Sequence, residues 1–280
     1  MFHNRSIWGS IRPPFAGGVA EDALMAPWIT AIGGSGNITT PRRAIVNTLM
    51  AGLRTDGLLP VLDRLWILAA ANTSQAHTDI INCSTLTAVS SPTFAADTGY
   101  TANGAGYLAT GFTPSSAGGH FSANSASYGV YILNNRTTGQ TASAMGVIEG
   151  AELRYTLLEP KETTPVCTYE IMGADFATAA PITSIRHSFV VSRTSSNTHA
   201  LYLDNVATPF ISTSAGNSFG LPTFPFFIMA TNLDGTAQHT SVADVFGAAF
   251  IGGGMTAAQA VNLSNRINTY IGAIGLTAIW

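Results

Sequence analysis

The sequence predicts a mainly β protein, an antiparallel β-sandwich that follows an N-terminal arm and helix and ends in an amphipathic helix. Three observations lead to this class. Short strand-like runs separated by turn residues fill residues 66–252, alternation of side chains is clearest over residues 128–132, and 280 residues suit one large sandwich. Hydrophobic residues make up 46% of the chain, which is enough for a substantial core.

Residues 1–40 form the first predicted unit, an irregular N-terminal arm. Pairs of proline or glycine at 13–14, 17–18 and 33–34 interrupt any regular period. Several side chains are nevertheless too apolar for a solvated linker, so we expect the arm to lie on a partner or on the chain's own body. The candidate anchor residues are Trp8, Ile11, Phe15, Trp28 and Ile29.

Residues 41–65 form the second predicted unit, a helical section. Thr40 is a candidate N-cap, and Pro41 suits the first helical position. Apolar residues then recur at helical spacing, which predicts one helix over residues 41–55 and a second short helical piece over residues 58–65. The apolar run at 66–70 predicts a buried strand.

Residues 66–280 form the third predicted unit, the sandwich with its C-terminal helix. The runs at 187–193 and 198–204 bracket a Ser-Ser-Asn turn and predict a hairpin. Asp204 and Asn205 form a further turn candidate, because both side chains tolerate left-handed backbone angles. The predicted strands are residues 107–110, 127–133, 144–148, 153–158, 166–172, 186–192, 199–203, 226–230 and 245–251.

The C-terminal helix has a clear start signal. Thr256 and Gln259 have the spacing of a capping box, in which each side chain bonds the other residue's backbone amide. Glycines at 272 and 275 mark the end of the helix. One apolar stripe predicts that the helix docks on the sandwich, and its residues are Ala260, Leu263, Ile267, Tyr270 and Ile271.

The composition excludes several functional classes. Charged residues make up 10% of the chain, against roughly 25% in an ordinary globular domain, so we expect a polar but uncharged surface that suits assembly or contact with sugars. A net charge of −3 and scattered basic residues argue against a nucleic-acid partner. No apolar run approaches the roughly 20 residues of a membrane span, and the N-terminus lacks a signal-peptide core. Cys83 and Cys167 are expected to be free thiols.

Catalytic motifs are weak, and we expect the protein not to be an enzyme. Residues 216–220 match G-x-S-x-G around Ser218, and Asp234 and His239 follow in hydrolase order. The proline-containing segment after them cannot begin the helix that a nucleophile elbow requires. The acids nearest to a glycosidase pair lack the spacing of two carboxylates on one strand face, and they are Glu149, Glu152, Glu159 and Glu162.

Two kinds of ligand site are considered for the remaining residues. The histidines lack the spacing of zinc ligands, and we expect no cofactor. Calcium is the alternative, since several loop residues carry suitable side-chain oxygens, namely Asp97, Asp204, Asn205, Asn232 and Asp234. Asp and Asn in tight turns, however, usually serve the backbone. Aromatic rings can stack on sugars beside hydrogen-bonding amides, although rings that alternate along strands are core by default. The candidate glycan-contact residues are Tyr100, Tyr107, Phe112, Asn232 and Asp234.

Four short segments carry a resemblance to a known group of proteins. They are LLPVLDRLW at 58–66, PTFAADTGY at 92–100, GYLATGF at 106–112 and FIGGGMTAAQ at 250–259. Their order, over about residues 42–275, resembles proteins of tailed bacteriophages and prophages with a concanavalin A-like (laminin-G-like) jelly-roll domain. The resemblance implies a jelly-roll sandwich in a virion component, such as a head fibre, capsid decoration protein or tail appendage.

Two functional hypotheses stay open. The first is a structural virion protein, made in the host cytoplasm, that binds other virion proteins through its arm and forms a trimer or lattice. The second is a lectin-like module that recognises a bacterial surface glycan; a polysaccharide depolymerase is disfavoured by the missing carboxylate pair. Deleting residues 1–40 is expected to leave the sandwich folded and to abolish incorporation.

Overall fold

A computed structural model describes residues 20–136, 138–151, 154–173, 177–214 and 218–280, with the side chains of 177–180 left out. In this part of the chain two β-sheets face each other, and helices cover the outer face of one of them. The prediction of a mainly β sandwich with a C-terminal helix is confirmed. None of the described helices is long and apolar enough to cross a lipid bilayer.

The two long helices begin at threonine caps. The hydroxyl of Thr39 accepts a hydrogen bond from the Arg42 amide at 3.4 Å, so the first cap lies one residue before the predicted Thr40. Thr256 and Gln259 form the predicted capping box. The helices are α1 (Met25–Ala31), α2 (Thr40–Thr55), α3 (Thr73–His77) and α4 (Ala257–Ala273), with a 3-10 turn at Ser35–Asn37.

The strands are numbered in chain order. They are β1 (Leu62–Trp66), β2 (Thr87–Val89), β3 (Thr93–Ala95), β4 (Gly99–Asn103), β5 (Tyr107–Ala109), β6 (Ala126–Ile132), β7 (Met145–Glu149), β8 (Arg154–Glu159), β9 (Val166–Gly173), β10 (Ala177–Pro181), β11 (Ser188–Arg193), β12 (His199–Leu203), β13 (Ile211–Thr213), β14 (Phe227–Ile228), β15 (Thr231–Leu233), β16 (Thr236–Gln238) and β17 (Val242–Gly252). Each strand predicted from the sequence overlaps one of these.

The first sheet has the order β13-β12-β11-β6-β17-β4-β3, with β1 also paired to β17. The second has the order β10-β9-β8-β7-β14-β5-β2, and β15 pairs in parallel with β7 and antiparallel with β16. The predicted hairpin is confirmed, since β11 and β12 pair antiparallel with Phe189 opposite Leu203. The turn at Asp204 is confirmed by its left-handed backbone, with φ +56°.

The first sheet is buried on both faces. Along β6 every residue is buried, and alternate side chains go to different cores: Tyr128 and Val130 face the second sheet, while Tyr131 faces the helices. The C-terminal helix supplies Leu263, Ile267 and the rest of its predicted stripe to the helical core. The order of layers is therefore helices, first sheet, second sheet.

The helical core also contains part of the predicted arm. Trp28 and Ile29 are 2% and 8% exposed, and the Trp28 indole donates a hydrogen bond to the Thr78 carbonyl at 3.1 Å. These two candidate virion anchors are therefore covered by the chain's own body, which corrects their interpretation as anchors. Trp8, Ile11 and Phe15 lie outside the described residues.

The predicted helical piece at 58–65 is wrong. Helix α2 ends before Gly57, which has φ +67°, and the chain then turns into β1, which pairs with β17. The strand expected at 66–70 begins earlier, at Leu62, and ends at Trp66. An available sheet edge overrides the weak helical pattern here, because backbone pairing with β17 satisfies the amides and carbonyls.

Arginine-carboxylate pairs connect the helical layer. Asp22 accepts two hydrogen bonds from Arg54 of α2 at 2.7 and 2.8 Å, and Asp56 accepts two from Arg266 of α4 at 2.7 and 2.9 Å. Each guanidinium holds the pKa of its partner carboxyl below the usual value. The segment before α2 and the helix at the chain's end are thus both linked to α2.

These pairs predict that stability falls in acid. A carboxyl whose folded pKa is lowered stabilises the fold above its ordinary pKa of about 4, and the stabilisation is lost as the pH falls through the folded pKa. We expect Asp22→Asn and Asp56→Asn to reduce the free energy of unfolding at pH 7 and to flatten its decline below pH 4, measured by urea denaturation. Glu159→Gln, at a carboxyl whose folded pKa is raised, is the control. An unchanged acid slope in both aspartate variants would contradict this role.

Candidate functional site

The structure separates the predicted glycan-contact residues. Tyr100 lies on β4 of the first sheet, is 2% exposed, and shares a hydrogen bond with the ring of His77. Phe112 is also 2% exposed and packs edge-to-face on Phe121. Both rings belong to the core between the sheets, so neither can offer a face to a sugar.

The other candidates lie on the second sheet. Asn232 is 1% exposed and builds its own turn, donating to the Pro225 carbonyl and accepting from the Gly235 amide, both at 2.8 Å. Asp234 is exposed and accepts from the Gly150 amide at 3.2 Å. Tyr107 is half-buried and stacks on Phe227 with ring centroids 4.3 Å apart. Tyr107 and Asp234 are therefore the members of the set that reach the surface.

A cleft that the sequence did not reveal lies at the rim of the sandwich. The loop of residues 204–210, between β12 and β13, is held against both neighbouring strands. The Asp204 amide donates to the Ser188 carbonyl at the start of β11 at 3.0 Å, and the Phe210 amide donates to the Leu201 carbonyl of β12 at 2.8 Å. The cleft has a volume of about 440 Å³, within the roughly 300–1,000 Å³ of small-molecule sites. It is lined by His187, Leu203, Asp204, Val206, Thr208, Pro209 and Phe210.

The polar side chains of the cleft form a fixed pair. His187 Nδ1 lies 2.6 Å from Asp204 Oδ2, and Asp204 Oδ1 accepts from the Ser188 amide at 2.9 Å. The edge of the Phe189 ring contacts the imidazole, at 5.9 Å between centroids. Both polar groups keep some exposure, 24% for the imidazole and 18% for the carboxylate. The ring is thus held from two sides and still meets solvent.

The pairing determines the hydrogen-bonding character of the imidazole. An ionised carboxylate only accepts hydrogen bonds, so His187 donates from Nδ1, and in the neutral ring Nε2 is then an acceptor. Within the described part of the chain Nε2 has no hydrogen-bond partner. When the imidazole is neutral, the cleft therefore combines an oriented acceptor with an apolar wall that includes Leu203 and Phe210, both packed against the core.

The weak hydrolase motif is not assembled into a site. Gly216 and Asn217 lie outside the described residues, and the residues after Ser218 form no helix, as predicted. Ser218 Oγ accepts from the Gly220 amide at 3.4 Å, whereas His239 pairs with Glu159 at 2.8 Å. Ser218, Asp234 and His239 therefore each have a different hydrogen-bond partner.

The acidic residues serve separate local contacts. Glu149 accepts hydrogen bonds from Arg154 and from Thr223, Glu162 accepts from Thr168, and Glu152 lies outside the described residues. Burial raises the pKa of Glu159, which the His239 imidazole opposes. Glu149, Glu159 and Glu162 therefore each have a structural partner.

No cluster of three or more His, Cys, Asp or Glu side chains with metal-binding geometry occurs among the described residues. Three of the calcium candidates have structural partners: Asp97 pairs with Arg42, Asp204 pairs with His187, and Asn232 is buried in its turn.

A second polar cluster is buried between the sheets. The Arg193 guanidinium is fully buried and donates to the Ile171 carbonyl at 2.7 and 3.0 Å, and His199 lies 3.1 Å from the Tyr169 hydroxyl. Burial and the nearby Arg193 lower the pKa of His199 to about 4. The imidazole is therefore neutral near pH 7, and the cluster connects the ends of the two sheets.

Comparison with known proteins supports the fold. No protein-family model matches the chain, and no curated protein matches its sequence. Domain 4 of an extracellular arabinanase from Geobacillus stearothermophilus, solved in complex with arabinotriose, is similar with a TM-score of 0.51 and 13% identity, over 72% of this chain and 98% of that one. A Trypanosoma rangeli sialidase in complex with sialic acid gives a TM-score of 0.45 and 8% identity, over 79% of this chain and 38% of the sialidase. The arabinanase domain and this chain share a fold.

The His187–Asp204 pair predicts an unusual protonation pattern in the cleft. In the neutral ring the proton is expected on Nδ1, because Asp204 accepts from it. Replacing Asp204 with asparagine removes the charge and should shift the proton toward Nε2. Long-range ¹⁵N–¹H correlation spectra of the ring would show both states, with His120→Gln used to assign signals. An Nε2-protonated ring in the unmodified protein would contradict the assignment.

Proposed function

We propose that the protein is a structural component of a tailed-bacteriophage particle and that its sandwich binds carbohydrate on the bacterial surface. The observation that carries the carbohydrate part is the rim cleft, which combines an apolar wall with an oriented imidazole acceptor. Sugars present this combination, since one face of the ring is apolar and its edge carries hydroxyls. The arabinanase domain with the same fold was solved in complex with arabinotriose, which supports the choice of ligand class.

The virion part of the proposal has separate support. The four segments that resemble tailed-phage proteins lie on structural features, including β1, β5 and the start of α4. Charged residues make up 10% of the chain, and several of them are used in internal ion pairs such as Arg42–Asp97 and Arg136–Asp244. The remaining surface is polar and weakly charged, which suits packing beside identical copies.

The proposal assigns binding without turnover. The His187–Asp204 pair has the geometry of a general base and its orienting carboxylate, but among the lining residues Thr208 is the one hydroxyl, and no hydrogen bond joins it to the ring. A triad requires the nucleophile within hydrogen-bond reach of the base. The geometry therefore favours ligand recognition.

Binding is tested on an array of bacterial and plant oligosaccharides with the purified full-length chain. We expect saturable binding to a subset of glycans and release of each intact, measured by mass spectrometry of the recovered sugar. Heat-denatured protein is the control for adsorption. Absence of binding to every glycan would remove the carbohydrate proposal, and appearance of shortened products would replace it with a hydrolase.

Two truncations test attachment to the particle. Deleting residues 1–19 leaves the described core complete, so we expect a folded protein that is missing from purified particles, detected by immunoblotting. Deleting residues 1–40 also removes buried Met25 and Trp28, and loss of one such aromatic side chain costs about 3–5 kcal/mol. The longer truncation should therefore unfold at lower temperature, which revises the expectation from sequence. Normal incorporation of the shorter truncation would contradict attachment through the N-terminus.

A further inference from the structure

The rim cleft carries an acidic side chain but no basic lysine or arginine among its described lining residues. Asp204 and His187 are its ionisable lining residues, and no lysine or arginine is among the residues that line it. The neighbouring Arg186 is directed elsewhere, since its guanidinium donates to the carbonyls of Leu133, Thr277 and Ala278 at 2.8 to 3.0 Å. Among the described lining residues, a ligand therefore meets a carboxylate and an imidazole but no permanently charged cation.

The hydrogen-bonding groups of the cleft also determine which ligands it can bind. Asp204 has both oxygens occupied, one by His187 and one by the Ser188 amide. Each of these oxygens can accept a further hydrogen bond. The other groups that can bind a ligand are His187 Nε2, which is an acceptor in the neutral ring, and the hydroxyl of exposed Thr208. An acceptor requires a donor, and a sugar hydroxyl supplies one, whereas an ionised carboxylate does not.

The apolar wall determines where the rest of the ligand lies. Val206 is 51% exposed, and Pro209 and Phe210 are partly exposed beside it. Phe210 is held at its base by packing against the core and by its amide hydrogen bond to Leu201. An ordered aromatic ring with some exposed surface loses little side-chain freedom when a sugar covers it.

We propose that this cleft is the carbohydrate site and that it takes neutral sugars, with one hydroxyl donating to His187 Nε2 and an apolar face against Phe210, while it excludes sugars that carry a carboxylate. The inference rests on the proposed function, because it assumes that the protein binds carbohydrate. It adds the residues that contact the sugar and the charge of the ligand.

The test compares neutral and uronic-acid-containing oligosaccharides on the same array, followed by calorimetry with the best-bound neutral compound. We expect neutral compounds among the hits and no acidic ones at physiological salt. His187→Ala should weaken binding about tenfold, the equivalent of one lost hydrogen bond, and Phe210→Ala should weaken it at least as much. Thermal unfolding verifies that each variant is folded.

Two further variants separate this site from other surfaces. Tyr107→Ala changes the half-buried ring on the outer face of the second sheet and should leave affinity unchanged. Asp204→Asn removes the negative charge and should increase the binding of acidic relative to neutral sugars, an effect that loss of structure alone does not produce.

The outcomes distinguish the two proposals. If no glycan binds, the proposed function fails. If glycans bind and Tyr107→Ala abolishes binding while His187→Ala does not, the function stands and the location is wrong. If acidic sugars bind as well as neutral ones, or if Asp204→Asn leaves their ratio unchanged, the proposed selectivity is wrong.

Discussion

The rest of the structure depends on the burial of the first sheet on both faces. Strands β6, β11 and β17 carry large apolar side chains in both directions, with Tyr131, Val190 and Phe250 facing away from the sandwich. In a two-layer sandwich these side chains would be exposed to water, at a cost of about 25 cal/mol for each Å² of apolar surface. The helical layer removes that cost, and it consists of segments from the two ends of the described chain.

Because the helical layer is buried against the first sheet, each polar side chain in the interface needs a hydrogen-bond partner. Arg42 of α2 is buried and donates to the Tyr270 hydroxyl of α4 at 2.8 Å, and Tyr270 donates to the Ala69 carbonyl at 3.1 Å. Buried polar groups must be hydrogen-bonded, since an unpaired one loses its interaction with water. The same logic applies to Asp79, whose carboxylate accepts three backbone amides of the loop that follows it. In a chain with few charges, many of them stabilise the fold itself.

The covered faces also restrict where a ligand can bind. The inner faces of the sheets cover each other, and the helices cover the first sheet from outside. The outer face of the second sheet and the loops at the rim remain. Loops on a rigid scaffold are common positions for binding residues, and the loop after β12 is held by hydrogen bonds to β11 and β12. The candidate cleft is thus a consequence of the layer order.

The sequence by itself determined the elements with strong local signals. The capping box at Thr256, the stripe on α4 and the hairpin of β11 and β12 are each encoded within about 20 residues, so the local sequence is enough to predict them. The His187–Asp204 pair could also have been predicted from the sequence, because the predicted hairpin places the start of its first strand beside the end of its second. Only the tertiary structure decided that Tyr100, Phe112 and Trp28 are core residues, that residues 62–66 form a strand, and that Phe210 shares a cleft with His187. The physical reason is that burial depends on which layer covers a side chain, and that layer is formed by residues distant in the sequence.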